Sequence, residues 1–109
     1  MKVFILCGGY GTRLDHEGKM KAKPMVEIAK KPILMHIIEN FYNQSFNEFV
    51  LCLGYKADTI INYFLKEKKK YVKIIERKKD NIYLKFSPKK KSFFIHLVNT
   101  GVKTGTGGR

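Results

Sequence analysis

The chain has 109 residues, 44% of them hydrophobic, with eight Phe, six Tyr and no Trp, which bounds it to one ordinary globular domain and excludes extended disorder and a two-domain protein. Its 22 Lys and Arg against 9 Asp and Glu give a formal charge of +13, a balance that favours small polyanionic substrates electrostatically. Nucleic acid is not expected as the partner, because 19 of the 22 basic residues are Lys in a chain also rich in Ile, Asn, Phe and Tyr, a composition that a coding bias can produce.

Val3 to Cys7 is an unbroken apolar run closed by Gly8 and Gly9, the pattern of a strand buried on both faces, and it is expected to be the first and central strand of a parallel sheet. The same run is too short for a signal peptide, and no other approaches the roughly 20 residues of a membrane span. The expected compartment is the cytoplasm, with no membrane partner. Gly8 to Lys23 is polar and glycine-punctuated without periodicity and reads as a long functional loop.

Pro32 opens a stripe of Ile33, Leu34, Ile37, Ile38, Phe41 and Tyr42, which predicts a helix over 32–44 with His36 in a structural role on its flank. Phe49 to Gly54 repeats the strand-to-glycine pattern, and Ala57, Ile60, Ile61, Phe64 and Leu65 predict a second helix. The lysines at 66 and 68–70 suit its solvated C-terminal end. Cys7 and Cys52 lie 45 residues apart inside apolar runs, so they read as small buried hydrophobes rather than a disulfide or metal pair.

Between Tyr71 and Phe86 the alternation of Ile82, Leu84 and Phe86, with turn residues at 78–81, predicts an appended hairpin of two half-exposed strands. Phe93 to Val98 is the third apolar strand, holding His96 as a hydrogen-bonded core histidine, and it ends at Asn99-Thr100-Gly101. The expected fold is α/β: a Rossmann-like, open, mainly parallel sheet with helices on both faces. Because the chain closes on Gly105-Thr106-Gly107-Gly108-Arg109 with no crossover helix after the third strand, the fold is read as incomplete at the C-terminus, the N-terminal portion of one domain.

Ligands in such sheets bind beyond the carboxyl ends of the strands. Gly8-Gly9-Tyr10-Gly11-Thr12-Arg13-Leu14, with Lys23-Pro24 following, offers three glycines for close backbone approach and two cations for phosphate. It has neither the GK[ST] of a P-loop nor the third glycine of the dinucleotide fingerprint.

These residues resemble the signature of the nucleotide-sugar pyrophosphorylases, a nucleotidyltransferase family marked by GGxGTRL and a later lysine before proline. The likeness continues through Lys23-Pro24-Met25-Val26-Glu27-Ile28, Lys31-Pro32-Ile33-Leu34, Cys52-Leu53-Gly54-Tyr55-Lys56 and Thr106-Gly107-Gly108-Arg109, without gaps over all 109 residues, and the KPMVEI and TGGR segments point to the cytidylyl branch. The resemblance implies a nucleotidyltransferase fold and the reaction of CTP with a sugar 1-phosphate, giving a CDP-sugar and pyrophosphate. It implies catalytic roles for Arg13 and Lys23, and nucleotide contacts from Leu6, Cys7, Gly8, Gly9, Tyr10, Gly11, Thr12, Thr104 and Arg109.

Magnesium is implied as cofactor, with its acidic ligands in the part of the family's proteins beyond this chain; Asp15 and Glu17 are read as solvated. Ala22 stands where the family has proline, which is expected to loosen the turn carrying Lys23. Asn99, Val102 and Gly105 depart from the family's last loop, which leaves the base choice less secured than the phosphate site. Another NTP or sugar branch, a non-catalytic nucleotide-binding module, and a homo-oligomer or complementing chain stay open.

Overall fold

The structure is a computed structural model that describes residues 1–7, 12–14, 20–54 and 57–99, with the backbone alone at 12–14 and 20–23. Its centre is a five-stranded sheet. β1 (Val3–Leu6), β6 (Glu48–Leu53) and β9 (Phe93–Asn99) run parallel, and β9, β8 (Asn81–Phe86) and β7 (Val72–Lys78) run antiparallel, in the order β1-β6-β9-β8-β7. Two short hairpins, β2 (Thr12–Leu14) with β3 (Met20–Ala22) and β4 (Glu27–Ile28) with β5 (Lys31–Pro32), fill the stretch between β1 and the first helix. Strands of three residues are too short for a readable alternation, so the β2–β3 hairpin lies in what reads from the sequence as a loop.

Register explains which residues form the core. Val3, Phe49, Ile95 and Leu84 stand in one row across the sheet, and Ile5, Leu51, Leu97 and Ile82 in another. Because side chains alternate along a strand, these rows share one face. Leu34, Met35 and Ile38 of α1 (Ile33–Tyr42), Ala57 and Ile60 of α2 (Ala57–Asn62), and Tyr63 and Phe64 beyond it join that face in a single buried cluster. Aromatic rings run through it, with Phe64 on Phe86 at 5.4 Å, Phe86 on Phe93 at 5.9 Å and Tyr42 on Phe93 at 4.7 Å between centroids.

Two expectations are corrected. β1 is an edge strand of the described sheet and is not buried on both faces: Phe4 is 66% and Leu6 84% exposed. The described helices lie on one face only, because the crossovers β1-α1-β6 and β6-α2-β9 step the same way across the sheet, and right-handed connections then place both helices on the same side. The hairpin is not appended either. β8 pairs with β9 over its whole length, from Asn81 opposite Val98 to Phe86 opposite Phe93, so β7–β8 extends the main sheet. β7 closes that side as a bulged edge with exposed Lys73, Arg77 and Lys78, charges that discourage further pairing.

Local chemistry sets the helix ends. Pro32 precedes α1 at φ −58°, ψ 145°, where its missing N–H costs nothing. At the other end the Phe46 N–H donates to the Phe41 carbonyl (3.0 Å) and the Ser45 N–H to the Tyr42 carbonyl (2.9 Å), a Schellman closure that requires the left-handed backbone of Ser45, φ 81°. Phe41 and Phe46 meet edge to face at 5.9 Å, the apolar contact that accompanies it. After α2 the chain widens into a π-turn over Tyr63–Glu67, with the Lys68 N–H bonded to the Tyr63 carbonyl at 2.9 Å. That extra residue per turn buries Tyr63 beside Phe64, a pair that a 3.6-residue stripe does not predict.

Candidate functional site

The three parallel strands end in step. Leu6 pairs with Cys52, and Leu53 with Asn99, so Cys7, buried Gly54 and Asn99 stand along one edge of the sheet. Of the residues expected to form the site, Gly8, Gly9, Tyr10, Gly11, Thr104 and Arg109 lie outside the described residues.

Leu6 and Cys7 turn opposite ways: Leu6 is exposed on the face away from the helices, and Cys7, 2% exposed, enters the core. The Cys7 N–H donates to the Cys52 carbonyl at 2.8 Å, which carries the β1–β6 ladder one residue past β1. That amide is therefore engaged within the sheet. The Cys7 thiol sits 3.6 Å from the Ile5 carbonyl. Burial first, and then the neighbouring Cys52, push its pKa up to about 12, so it is a protonated core group and no nucleophile. Both cysteines are free thiols, as expected of small hydrophobes, with Cys52 half-buried on the outer face.

The β2–β3 ladder fixes the backbone spacing between Arg13 and Lys23. Thr12 is opposite Ala22 and Arg13 opposite Lys21, so Lys23, ten residues from Arg13 in sequence, stands two positions beyond Arg13's partner. Ala22 is paired with Thr12 in this ladder. Lys23 then opens a short 3₁₀ turn, Lys23–Met25. Met25 fastens it, being 8% exposed and part of the cluster that contains Cys7 and Leu34. The Ile33 N–H also donates to the Val26 carbonyl at 2.9 Å, tying the turn to the start of α1. This anchor was missed in the sequence, although Met25-Val26 directly after Lys23-Pro24 is an apolar pair in an otherwise polar stretch.

The histidines divide. His36 Nε2 lies 2.6 Å from the Ile28 carbonyl, a structural bond between α1 and the β4–β5 hairpin. His96 is not a core residue: it is opposite Tyr83 on the outer face, with ring centroids 5.4 Å apart. On α1, Glu39 Oε1 accepts from Lys31 Nζ at 2.5 Å and lies 3.8 Å from Lys91 Nζ. Among the described residues no group of three or more His, Cys, Asp or Glu fits a metal ion, and no helix is long and apolar enough to cross a membrane.

Residues 2–85 match the model of the family described as nucleotidyl transferase. The whole chain aligns at 39% identity with the glucose-1-phosphate cytidylyltransferase of Salmonella typhimurium, and at 37% with the probable glucose-1-phosphate cytidylyltransferase of Bacillus subtilis. The first alignment takes 113 positions for 109 residues, so the match is not the gapless one expected. The chain spans 42% of the length of each of these relatives. Among solved structures, HddC from Yersinia pseudotuberculosis, complexed with GMP-PN, is similar over 61% of this chain and 29% of its own, with 42% identity and a TM-score of 0.51.

Proposed function

Because this chain belongs to the nucleotidyl transferase family, we propose that it is the nucleotide-binding part of a sugar-phosphate nucleotidyltransferase of the cytoplasm that joins CTP and glucose 1-phosphate into CDP-glucose, releasing pyrophosphate. The observation that carries this reading is the alignment of the whole chain with glucose-1-phosphate cytidylyltransferase at 39% identity. The parallel strands β1, β6 and β9 ending in step beside Cys7 and Gly54 support it.

In this reading the sugar phosphate oxygen attacks the α-phosphorus of CTP, the bond from the α-phosphorus to the bridging oxygen breaks, and pyrophosphate leaves. Positioning and charge neutralisation supply most of the rate in such a displacement. The amides of 8–12 hold the triphosphate, since the Cys7 amide is already bonded to Cys52. Arg13 steadies the triphosphate and the departing pyrophosphate with a planar fork of donors, and Lys23 follows the charge at the α-phosphate as a compact ammonium. Thr104 and Arg109 contact the nucleotide from the loop after β9. Magnesium enters as what the family implies. No group of acidic residues, cysteines or histidines among the described residues fits it. The larger part of the relatives' length has no counterpart in these 109 residues, so turnover is proposed together with residues of that part, from a continuation or a complementing chain.

Titration of the chain with CTP, UTP, dTTP and GTP, alongside pyrophosphate release with CTP, Mg²⁺ and glucose 1-phosphate, tests the reading. CTP is expected to bind most tightly, and Gly11→Val to abolish binding by putting a branched side chain where the backbone approaches phosphate. CTP affinity unchanged by Gly11→Val would remove the phosphates from this loop. Strongest binding of GTP would move the chain to a purine branch, a reading that the HddC likeness favours. CTP binding without turnover even when the missing part is supplied as a continuation or a complementing chain would make it a non-catalytic nucleotide-binding module.

A further inference from the structure

A cavity of about 300 Å³ opens in the helical layer, between α1, the π-turn and the loop joining β8 to β9. Its floor is apolar, formed in part by Met35 and Phe86. Phe86 pairs with Phe93 at the beginning of β9, about 20 Å along that strand from Asn99 at ~3.3 Å per residue. The cavity therefore lies toward the opposite end of the sheet from the edge where the candidate nucleotide loops leave.

Its wall is cationic. The β4–β5 hairpin contributes Lys30 and Lys31, the end of the π-turn Lys68, and the β8–β9 loop Lys89 and Lys91, against the single carboxylate of Glu39. Glu39 is shared between Lys31 and Lys91. Lys68 lies over the Tyr63 ring at 5.7 Å. Tyr63 also lines the cavity. Burial, then the carboxylates of Glu67, Glu39 and Glu27, push its phenol up to about 12, so it remains a hydrogen-bond donor at neutral pH.

The backbone holds two of these lysines in tight turns. Four non-glycine residues among those described have positive φ, and three of them line this cavity: Ala29 at 55°, Lys30 at 66° and Lys89 at 55°. The fourth, Ser45, closes α1. Ala29 and Lys30 form the two-residue turn of β4–β5, where Asn-Gly is the ordinary choice. A left-handed lysine is strained by its Cβ, and backbone strain of this kind collects at ligand sites.

We propose that this cavity is a second anion site, binding a small organic phosphate with its dianion on the lysine wall and its carbon part over Met35 and Phe86. A volume near 300 Å³ is at the small end of ligand pockets and suits a one-ring or short-chain phosphate, not a polymer. The site stands apart from the nucleotide reading.

Phenyl phosphate at low salt is the probe, followed by amide chemical shifts in the 109-residue chain. Saturable shifts are expected at Lys30, Tyr63 and Lys89, undisturbed by excess CTP. The double variant Lys30→Gly and Lys89→Gly relieves left-handed strain while removing two ammonium groups. It should weaken phenyl phosphate at least about tenfold with an unchanged or higher melting temperature, and Lys73→Gln with Lys79→Gln, equal in charge change, should leave affinity within about twofold. Equal weakening in both double variants would reduce the effect to bulk charge and overturn the site, as would shifts scattered over β7 or an absence of saturable binding. Displacement by CTP with shifts at Cys7 and Gly54 would place the ligand at the strand-end edge instead. Loss of CTP binding alone, with phenyl phosphate still bound, would sink the nucleotide reading and leave this one standing.

Discussion

Met25→Ala tests how the core positions Lys23. Met25 is 8% exposed and joins the 3₁₀ turn that begins at Lys23 to the cluster holding Cys7 and Leu34. Truncating a buried Met to Ala costs about 2–5 kcal/mol. Met25 retains some exposure, so the lower end applies, about 2 kcal/mol, or a melting temperature lower by about 10 °C in a domain of this size. The Val26–Ile33 hydrogen bond survives the change, so the turn should stay attached while the residues before it gain freedom. Re-ordering one long side chain on binding costs about 0.5–1.5 kcal/mol, which predicts a CTP dissociation constant raised roughly two- to tenfold at a temperature where the variant is fully folded. Thermal melts and calorimetric CTP titration measure the two effects, and Met25→Leu should restore both. A stable variant would show that Met25 is no anchor; a destabilised one with unaltered CTP affinity would show that Lys23 is held by something else or plays no part.

Other expectations follow from the same geometry. Phe49→Ala, at a site with 0% exposure, should cost about 3–5 kcal/mol in urea unfolding, and Phe4→Thr on the adjacent strand, 66% exposed, under about 1 kcal/mol; equal costs would contradict the one-sided packing of the sheet. Ser45→Gly should raise stability by about 0.5–1 kcal/mol, because glycine takes φ 81° without the Cβ clash, and a lowered melting temperature would refute the Schellman closure. Cys7 is a protonated thiol in the folded chain with its pKa raised from 9.0 to about 12. Its contribution to stability is fully present below about pH 9 and is lost as pH rises toward 12, since the unfolded chain releases that proton first. In native iodoacetamide labelling at pH 8, read by mass spectrometry, Cys52 should therefore react well before Cys7, and equal rates would place Cys7 at the surface.

Much of this protein is legible in its amino-acid order. The apolar runs at β1, β6 and β9, the stripe of α1 and the turn chemistry of β7–β8 each depend on neighbours a few residues away, so periodicity alone identifies them. The glycine-rich segment with Arg13 and Lys23 carries its chemistry in residue type and spacing. The family match over residues 2–85 and the alignment of the whole chain with a cytidylyltransferase accord with the resemblance read there.

What periodicity could not determine is which side of an element faces what. An apolar strand looks the same in sequence whether one face is covered or two, and only the direction of the two crossovers left Phe4 and Leu6 exposed and His96 on the outer face. Ladder register set Arg13 opposite Lys21, two residues before Lys23, and one extra residue in a helical turn buried Tyr63. The lysine-walled cavity gathers side chains from residues 29 to 91, a juxtaposition made by non-local packing, for which no short window of sequence carries a signal.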